Sequence, residues 1–330
     1  MTAVDAYGAA PLLVLVAALL LDALLPAMAE ASVSPNPRRL AGILGRWLTA
    51  RLDRARRSEG TRLVRGALVT LVIAVLSGGL GWMIERVSRT LSYGILIELA
   101  LVTMLIGQRS LFVAVRRILT ALARGPGGLS ASRKIVAGFL APGWDAERLD
   151  AHGVARLAIE ALSIGFSERV VAPAFWFALT GLPGLFIAAA VEAIAARGPV
   201  ESAFATTATR LDDLLQYVPA RLAALLLALG ALCVPGGRPF AAFRAIGRDA
   251  QKHRTLNRGW PVAATAGALD LALGGPRLKS DGSGVPGPWI GAGRARADLA
   301  DIRRALYLFT AACLANAAAT AALAFARAAL

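Results

Sequence analysis

Three polar clusters interrupt a chain otherwise built of apolar runs, and their residue types suit work on anions. In the first, Arg210-Leu211-Asp212-Asp213 is followed by Pro219-Ala220-Arg221. Adjacent carboxylates could hold Mg2+ and, through it, phosphate oxygens. They could equally be the acidic start of a helix entering Leu214-Leu215. The second runs Arg248-Asp249-Ala250-Gln251-Lys252-His253-Arg254, then Asn257 and Gly259-Trp260-Pro261. Four cations, a histidine, an amide and an indole within fourteen residues suit an anionic, partly planar ligand. A solvated basic loop beside lipid headgroups has the same composition. The third, Gln108-Arg109-Ser110-Leu111, follows an apolar run, where Arg109 could meet an anion or only mark the membrane boundary.

Other chemistries are excluded by what is scarce. Cys233 and Cys313, the two cysteines, both lie in apolar runs and cannot build a disulfide framework or a Cys-ligated metal site. Two histidines, His152 and His253, do not make a multi-His centre. No Gly-x-x-x-x-Gly-Lys-Ser/Thr occurs, so no standard nucleotide fold is indicated. Gly274–Gly293 holds seven Gly and three Pro in twenty residues, which predicts an irregular loop. It could cradle a phosphate on its backbone N–H groups or serve as a flexible linker.

The elements that position these clusters are membrane helices. Of 330 residues, 57% are hydrophobic and only 17% charged, with mean hydropathy +0.60. That is more apolar than a soluble domain of this size. Five stretches approach the length needed to cross about 30 Å of hydrocarbon: 10–29, 66–84, 91–107, 170–196 and 305–326. A sixth, 220–235, is short at sixteen residues. The expected architecture is one all-α, polytopic membrane domain over 1–330, with five or six spans and long basic cytoplasmic loops.

Charge gives the orientation. Nine Lys and Arg lie in 38–65, nine in 109–169 and twelve in 238–304, together thirty of the thirty-six. This alternation places those segments in the cytoplasm and both termini outside. Nucleic-acid binding would also explain a pI near 11.3, but no aromatic-interleaved basic motif supports it. Ala27-Met28-Ala29 resembles a signal-peptide cleavage site. However, the preceding segment has no basic n-region and carries Asp5 and Asp22, so an uncleaved first span is preferred. Asp22, Glu98 and Glu192 are acids inside apolar runs; each is either functional or a hydrogen-bonded or interfacial carboxyl.

Between the spans, Asn36–Arg65 reads as an Arg-rich interfacial helix on anionic lipid. From Asp150, Val154, Leu157, Ala158, Ala161 and Leu162 fall on one helical face. Gly125-Pro126-Gly127-Gly128 and Pro142-Gly143 break the segment before it. Gly181-Leu182-Pro183-Gly184 interrupts the fourth span and predicts a kink or a broken helix. A re-entrant hairpin there would move everything after it to the other side, against the twelve basic residues that follow.

The chain resembles the adenosylcobinamide-phosphate synthase family of cobalamin biosynthesis, the CobD/CbiB proteins. The resemblance covers most of the chain, through ordered blocks rather than one motif. They include Leu21-Asp22, Asn36-Pro37-Arg38-Arg39-Leu40-Ala41-Gly42, Gln108-Arg109-Ser110-Leu111 and Leu149-Asp150 through Ile159-Glu160. Further blocks are Val170 to Trp176, Arg210 to Leu222, Arg248 to Pro261, Ala266 to Pro276, Pro288-Trp289 and Asp301 to Ala305. The resemblance implies an enzyme of a bacterial cytoplasmic membrane that joins aminopropanol, or its phosphate, to adenosylcobyric acid as an amide. It further implies ATP and Mg2+, and other cobalamin-pathway enzymes as partners. On that reading Asp212, Asp213 and Glu160 are the catalytic candidates, with Mg2+ at the aspartate pair. Asp22, Arg39, Arg109, Arg210, Lys252, His253, Asn257 and Trp260 are the substrate-binding candidates, Trp260 packing on the corrin.

The chain also departs from the family pattern. After Glu160 a Glu-Asn pair and an Asp-Gly step are replaced by Ile164-Gly165 and Glu168-Arg169, and an Asn-Thr-x-Asp-Ser stretch by Glu192 to Ala196. Asn36 stands where the family has His, and Val262 where it has Glu. Two functions follow: a synthase, using another acid such as Glu168 or Glu192, or a non-catalytic membrane partner that binds a corrinoid or scaffolds the pathway. A transporter comes third, because no paired broken helices mark an inverted repeat. The basic-residue count puts Arg210–Asp213 outside, whereas an ATP-dependent role needs it inside.

Overall fold

The computed structural model describes residues 3–25, 37–54, 57–139, 145–195, 203–279 and 283–329. Asn36, the Ala27-Met28-Ala29 and Pro142-Gly143 steps and the Arg39 side chain lie outside the described residues. Helices dominate. Among the described residues, five helical stretches are long and apolar enough to cross a membrane: Glu59–Ser88, Gly94–Leu122, Ala151–Thr180, Thr206–Cys233 and Leu299–Ala329. The chain is an all-α, multi-pass membrane protein. It divides into two compact units, one of Met1–Gly107, Ala172–Gln216 and Ala317–Leu330, the other of Gln108–Val171 and Tyr217–Asn316.

The first unit contains α1 (Ala3–Leu24), α2 (Pro37–Leu52), α3 (Glu59–Ser88), α4 (Gly94–Leu105), α8 (Ala172–Thr180) and α9 (Leu182–Ala195). Leu68, Val72, Val75 and Leu76 of α3 are exposed, as expected of a face turned to lipid. Its other face is cut back to glycine. A Cβ on Gly81 would lie 2.8 Å from the Leu182 carbonyl oxygen, one on Gly78 2.9 Å from Ile187, and one on Gly66 1.9 Å from the Phe204 carbonyl. Small residues at such positions let backbones approach and pack without a hydrophobic drive. The order 81, 78, 66 against 182, 187, 204 makes α9 antiparallel to α3. Ile73, Ala190, Ile194 and Ala208 fill the interface.

This arrangement corrects the expectation of one span over 170–196. The stretch is two helices joined at Gly181, whose φ of +71° favours glycine. The Leu182 N–H is capped by the Glu85 carboxylate at 3.1 Å. Because α9 returns along α3, the chain entering α10 (Thr206–Gly230) lies at the Arg62 and Arg65 end of α3. Glu98 accepts a hydrogen bond from Ser88 at 2.5 Å and so fastens the α3–α4 turn.

The second unit contains α5 (Gln108–Leu122), α6 (Pro126–Ala137), α7 (Ala151–Phe166), α11 (Pro239–Asp249) and α12 (Gly259–Leu269), with the first part of α13 (Leu299–Ala329). At its centre α12 has ten of its eleven residues buried. Close approach explains its glycines: a Cβ on Gly267 would lie 2.4 Å from the Ala241 carbonyl, and one on Gly259 1.9 Å from that of Ala250. Helix α7 is capped by Asp150, whose side chain accepts the Gly153 N–H at 2.7 Å. It buries Val154, Leu157, Ala158 and Leu162, the face that periodicity indicates. Phe166 meets Phe309 edge-on at 5.8 Å.

The glycine-rich segment, expected to be irregular, forms two antiparallel ladders. Leu273–Gly274 (β1) pairs with Trp289–Ile290 (β4), and Arg277–Leu278 (β2) with Gly284–Val285 (β3). Gly274, Gly275 and Gly291 adopt φ of +78°, +80° and +94°, which lets so short a segment fold back twice.

Candidate functional site

A polar stripe runs along the buried face of α7. Arg156, Glu160, Ser163 and Ser167 follow at spacings of four, three and four, so they stack on one side. Ser163 donates to the Ile159 carbonyl and contacts the Thr265 hydroxyl of α12, each at 2.8 Å. Glu160 is buried. One carboxylate oxygen accepts the Gly274 N–H at 2.6 Å, and the other pairs with Arg277. Both oxygens of Glu160 are therefore engaged in holding the glycine-rich segment and aiming a guanidinium.

Beyond Phe166 the helix passes through a π-helical turn, Ser167–Val171. Such turns insert one residue and often mark functional sites. Glu168 within it pairs with Arg258 at 2.7 Å. Asn257, also buried, accepts from Arg221 at 3.3 Å. The Arg221 guanidinium lies 3.4 Å from the Tyr217 ring centre and 4.3 Å from that of Trp260, an aromatic–cation stack.

His253 is half-buried, within electrostatic reach of Arg258, Arg277 and Glu168. Its Nδ1 lies 3.0 Å from the Thr255 backbone nitrogen and 3.2 Å from the Thr255 carbonyl oxygen, so the Thr255 backbone anchors the ring in either neutral tautomer. Burial lowers its pKa from 6.5 to about 4, and the nearby Arg258 and Arg277 add to the effect. Asp249, only 1% exposed, accepts from Arg248 at 2.6 Å, Lys252 at 2.7 Å and the Gly291 N–H at 2.9 Å. The hydrogen bonds from Arg248, and then Lys252, hold its carboxyl well below the usual range. Lys252 is thus tied to Asp249.

Of the sequence-predicted residues, Arg109, Glu160, Lys252, His253, Asn257 and Trp260 fall in this second unit, Arg109 half-buried at the start of α5. Asp22, Arg39, Arg210, Asp212 and Asp213 fall in the first. Arg210 is exposed, and Asp22, Asp212 and Asp213 are half-buried. Three participants, Arg221, Arg258 and Arg277, stand outside the catalytic and substrate-binding candidates. Arg221 closes the Pro219-Ala220-Arg221 motif, Arg258 lies inside the basic cluster, and Arg277 had no signal beyond its place among glycines.

Neighbours on an α-helix point about 100° apart, so Asp212 and Asp213 do not fit a resident Mg2+ by themselves. Among the described residues no three His, Cys, Asp or Glu gather. The glycine-rich segment does not fit a phosphate cradle either. The Gly274, Gly275 and Gly291 N–H groups are given to Glu160, the Pro288 carbonyl and Asp249.

Residues 15–309 match the family described as CobD/Cbib protein. The chain belongs to the CobD/CbiB family. It is 38% identical to the cobalamin biosynthesis protein CobD of a Sinorhizobium species, over 84% of this chain and 87% of the relative. To that of Rhizobium meliloti it is 37% identical, over 92% and 93%, and to that of Rhodobacter capsulatus 34%, over 79% and 82%. No solved structure matches. Membership of the CobD/CbiB family places the chain in cobalamin biosynthesis.

Proposed function

We propose that the chain makes the amide between aminopropanol, or its phosphate, and a carboxyl of adenosylcobyric acid, in the cytoplasmic (inner) membrane of a bacterium. The observation that carries this reading is the grouping of Trp260, Arg221, Asn257, His253 and the Glu168–Arg258 pair in one unit. A flat indole beside guanidiniums suits a large planar ligand with carboxylate arms. With Nδ1 accepting from Thr255, the neutral His253 ring would donate through its Nε2–H to oxygen charge developing on the reacting carboxyl. Glu168, held by Arg258, would take the proton that the amine loses as its C–N bond forms and the C–O bond to the activating group on the carboxyl breaks, that group leaving with the electron pair. Activation of the carboxylate would be supplied by ATP with Mg2+. An ion near Asp212 and Asp213 would have to arrive with phosphates that complete its oxygen shell.

A second reading, a membrane corrinoid-binding or scaffold protein that has lost catalysis, is favoured by one observation. Glu160, Glu168 and Asp249 are each held in an ion pair within the chain. Complementation separates the two. A host lacking its own synthase, expressing this chain in its membrane, should grow on cobyric acid by the first reading, and Asp212→Ala should abolish that growth. No growth from well-expressed protein would favour the second.

A further inference from the structure

Helix α11 inverts the pattern of a helix in water. Its inward positions, Ala242 and Ala245, are buried and small, because α12 comes so close that a Cβ on Gly267 would meet the α11 backbone. The large apolar residues point the other way, Phe240 at 81% exposure and Phe243 at 42%. At 100° per residue, Phe240, Phe243, Arg244, Gly247 and Arg248 share one arc of about 140°. All five are exposed. The arc is aromatic along one edge and cationic along the other. The acid of this helix, Asp249, is buried beneath Arg248, so the outer face itself carries no carboxylate. Arg244 makes no hydrogen bond or ion pair among the described residues. Arg248 spends two of its five N–H groups on Asp249 and keeps the rest for a ligand.

The place of α11 in the chain fits this face. The stretch Thr206–Cys233, long and apolar enough to cross a membrane, exposes Leu222, Leu225, Leu229 and Leu232 at spacings of three, four and three, a lipid-facing stripe that runs to its end. A short turn follows and is fastened from two sides. The Gly237 N–H donates to the Val234 carbonyl at 2.8 Å, and Arg304 donates to the Pro235 and Gly236 carbonyls at 3.3 and 2.9 Å. The Arg238 N–H then bonds the Ala268 carbonyl at 3.0 Å, which seats the start of α11 on the end of α12. Phe240 thus begins a helix held close to the end of a membrane span, where hydrocarbon gives way to headgroups.

We propose that α11 is an interfacial helix that binds an anionic phospholipid, with Phe240 and Phe243 among the acyl chains and Arg244 and Arg248 on the headgroup phosphate. Aromatic residues beside arginines on one face are the composition that holds a helix in the plane of an anionic bilayer surface. A protein partner would also cover the phenylalanines, but the leucine stripe leading to them and the acid-free cationic edge favour lipid. Binding of lipid here is independent of the synthase reading.

The test uses the full chain purified in a neutral detergent, with Cys233 and Cys313 replaced and a bimane dye on Gly247→Cys. A Cβ at Gly247 meets nothing within 4 Å, so the label leaves the fold and the four flanking side chains in place. Brominated phosphatidylglycerol and brominated phosphatidylcholine, which quench the dye on contact, are titrated in separately. We expect saturable quenching by both, with phosphatidylglycerol half-saturating at the lower mole fraction. An arginine near an anionic surface contributes about a fivefold gain in affinity, so Arg244→Gln should weaken phosphatidylglycerol about fivefold and leave phosphatidylcholine unchanged. Phe240→Ser should weaken both lipids. Both side chains are exposed, so these variants should melt as the parent does. Equal half-saturation by the two lipids, or a preference for phosphatidylglycerol that survives Arg244→Gln, would overturn the headgroup assignment. Loss of that preference on adding inorganic phosphate at constant ionic strength would assign the arginines to a dissolved anion and overturn it too. Quenching by aqueous iodide with none by either lipid would overturn the proposal as a whole and leave the face to a protein partner.

Discussion

Glu168 and Arg258, ninety residues apart, meet at 2.7 Å, with Glu168 standing in the π-helical turn that follows α7. The pair ties the α7–α8 helix to the turn that leads into α12, beside Asn257 and Trp260. Both partners are shielded, Glu168 at 14% and Arg258 at 36% exposure. A hydrogen bond to a charged group contributes about 1.5–3 kcal/mol. Glu168→Gln keeps shape and removes charge, so we expect a loss at the lower end of that range, read as a reduced Tm in detergent. If Glu168 also accepts the amine proton, growth support falls far more than the melting shift explains, and Glu168→Asp does not restore it. A growth defect that merely tracks Tm would confine Glu168 to structure.

Glu160 is a more severe case. Removing one partner of a buried ion pair costs about 3–5 kcal/mol, because the other charge is left without compensation. Glu160→Ala also strands the Gly274 N–H. The glycine-rich segment should then open locally, exposing Arg277 and Lys279 to trypsin. Limited proteolysis should show cleavage between 277 and 280 much faster than in wild type, before any global unfolding. Wild-type protection would mean the two ladders hold without Glu160.

Much of this was legible beforehand, for identifiable reasons. The α7 face could be read because its apolar spacing and Asp150 cap are local signals. The basic cluster at 248–261 could be read as a cluster because its residues are close in sequence, but the pairing of Arg248 and Lys252 with Asp249 could not. The hairpin at Gly181 was half visible: the Gly and Pro gave the break, but the direction of return depends on Gly66, Gly78 and Gly81 in a distant helix. Arg277 and the Glu168–Arg258 pair were invisible as partners, since long-range pairing leaves no periodicity. The ladders in 273–290 were missed because strands of two residues are too short to alternate.

His253 gives a pH dependence with a definite sign. Its pKa is lowered on folding, from 6.5 to about 4, so the unfolded chain binds the extra proton first. Its contribution is complete above pH 6.5 and is lost progressively as pH falls toward 4. Asp249, held well below the ordinary carboxylate range by Arg248 and Lys252, stays ionised in the folded chain and adds slope only below about pH 5, where the unfolded carboxyl begins to take up a proton. Denaturant titrations from pH 8 to 5 should therefore show a fall that His253→Asn removes. The asparagine oxygen can still accept the Thr255 N–H but does not titrate. An equal slope in the variant would assign the effect elsewhere.

The α3–α9 packing makes a prediction about sidedness. Phe204 sits against Gly66, and Ala208 against Ile73, so the first turn of α10 is at the Arg-rich end of α3. The basic-residue rule puts that end in the cytoplasm, the side that an ATP-dependent role for Arg210, Asp212 and Asp213 requires. The expectation drawn from counting loops alone was the opposite, because it treated 170–196 as one crossing. Single cysteines at Gly60, Thr90 and Thr209, in a chain with Cys233 and Cys313 replaced, test this directly. With a membrane-impermeant maleimide on intact cells, Thr90→Cys should label, while Gly60→Cys and Thr209→Cys should label only after permeabilisation. Labelling of Thr209→Cys from outside, with Gly60→Cys protected, would break the antiparallel arrangement and remove Asp212 and Asp213 from any nucleotide.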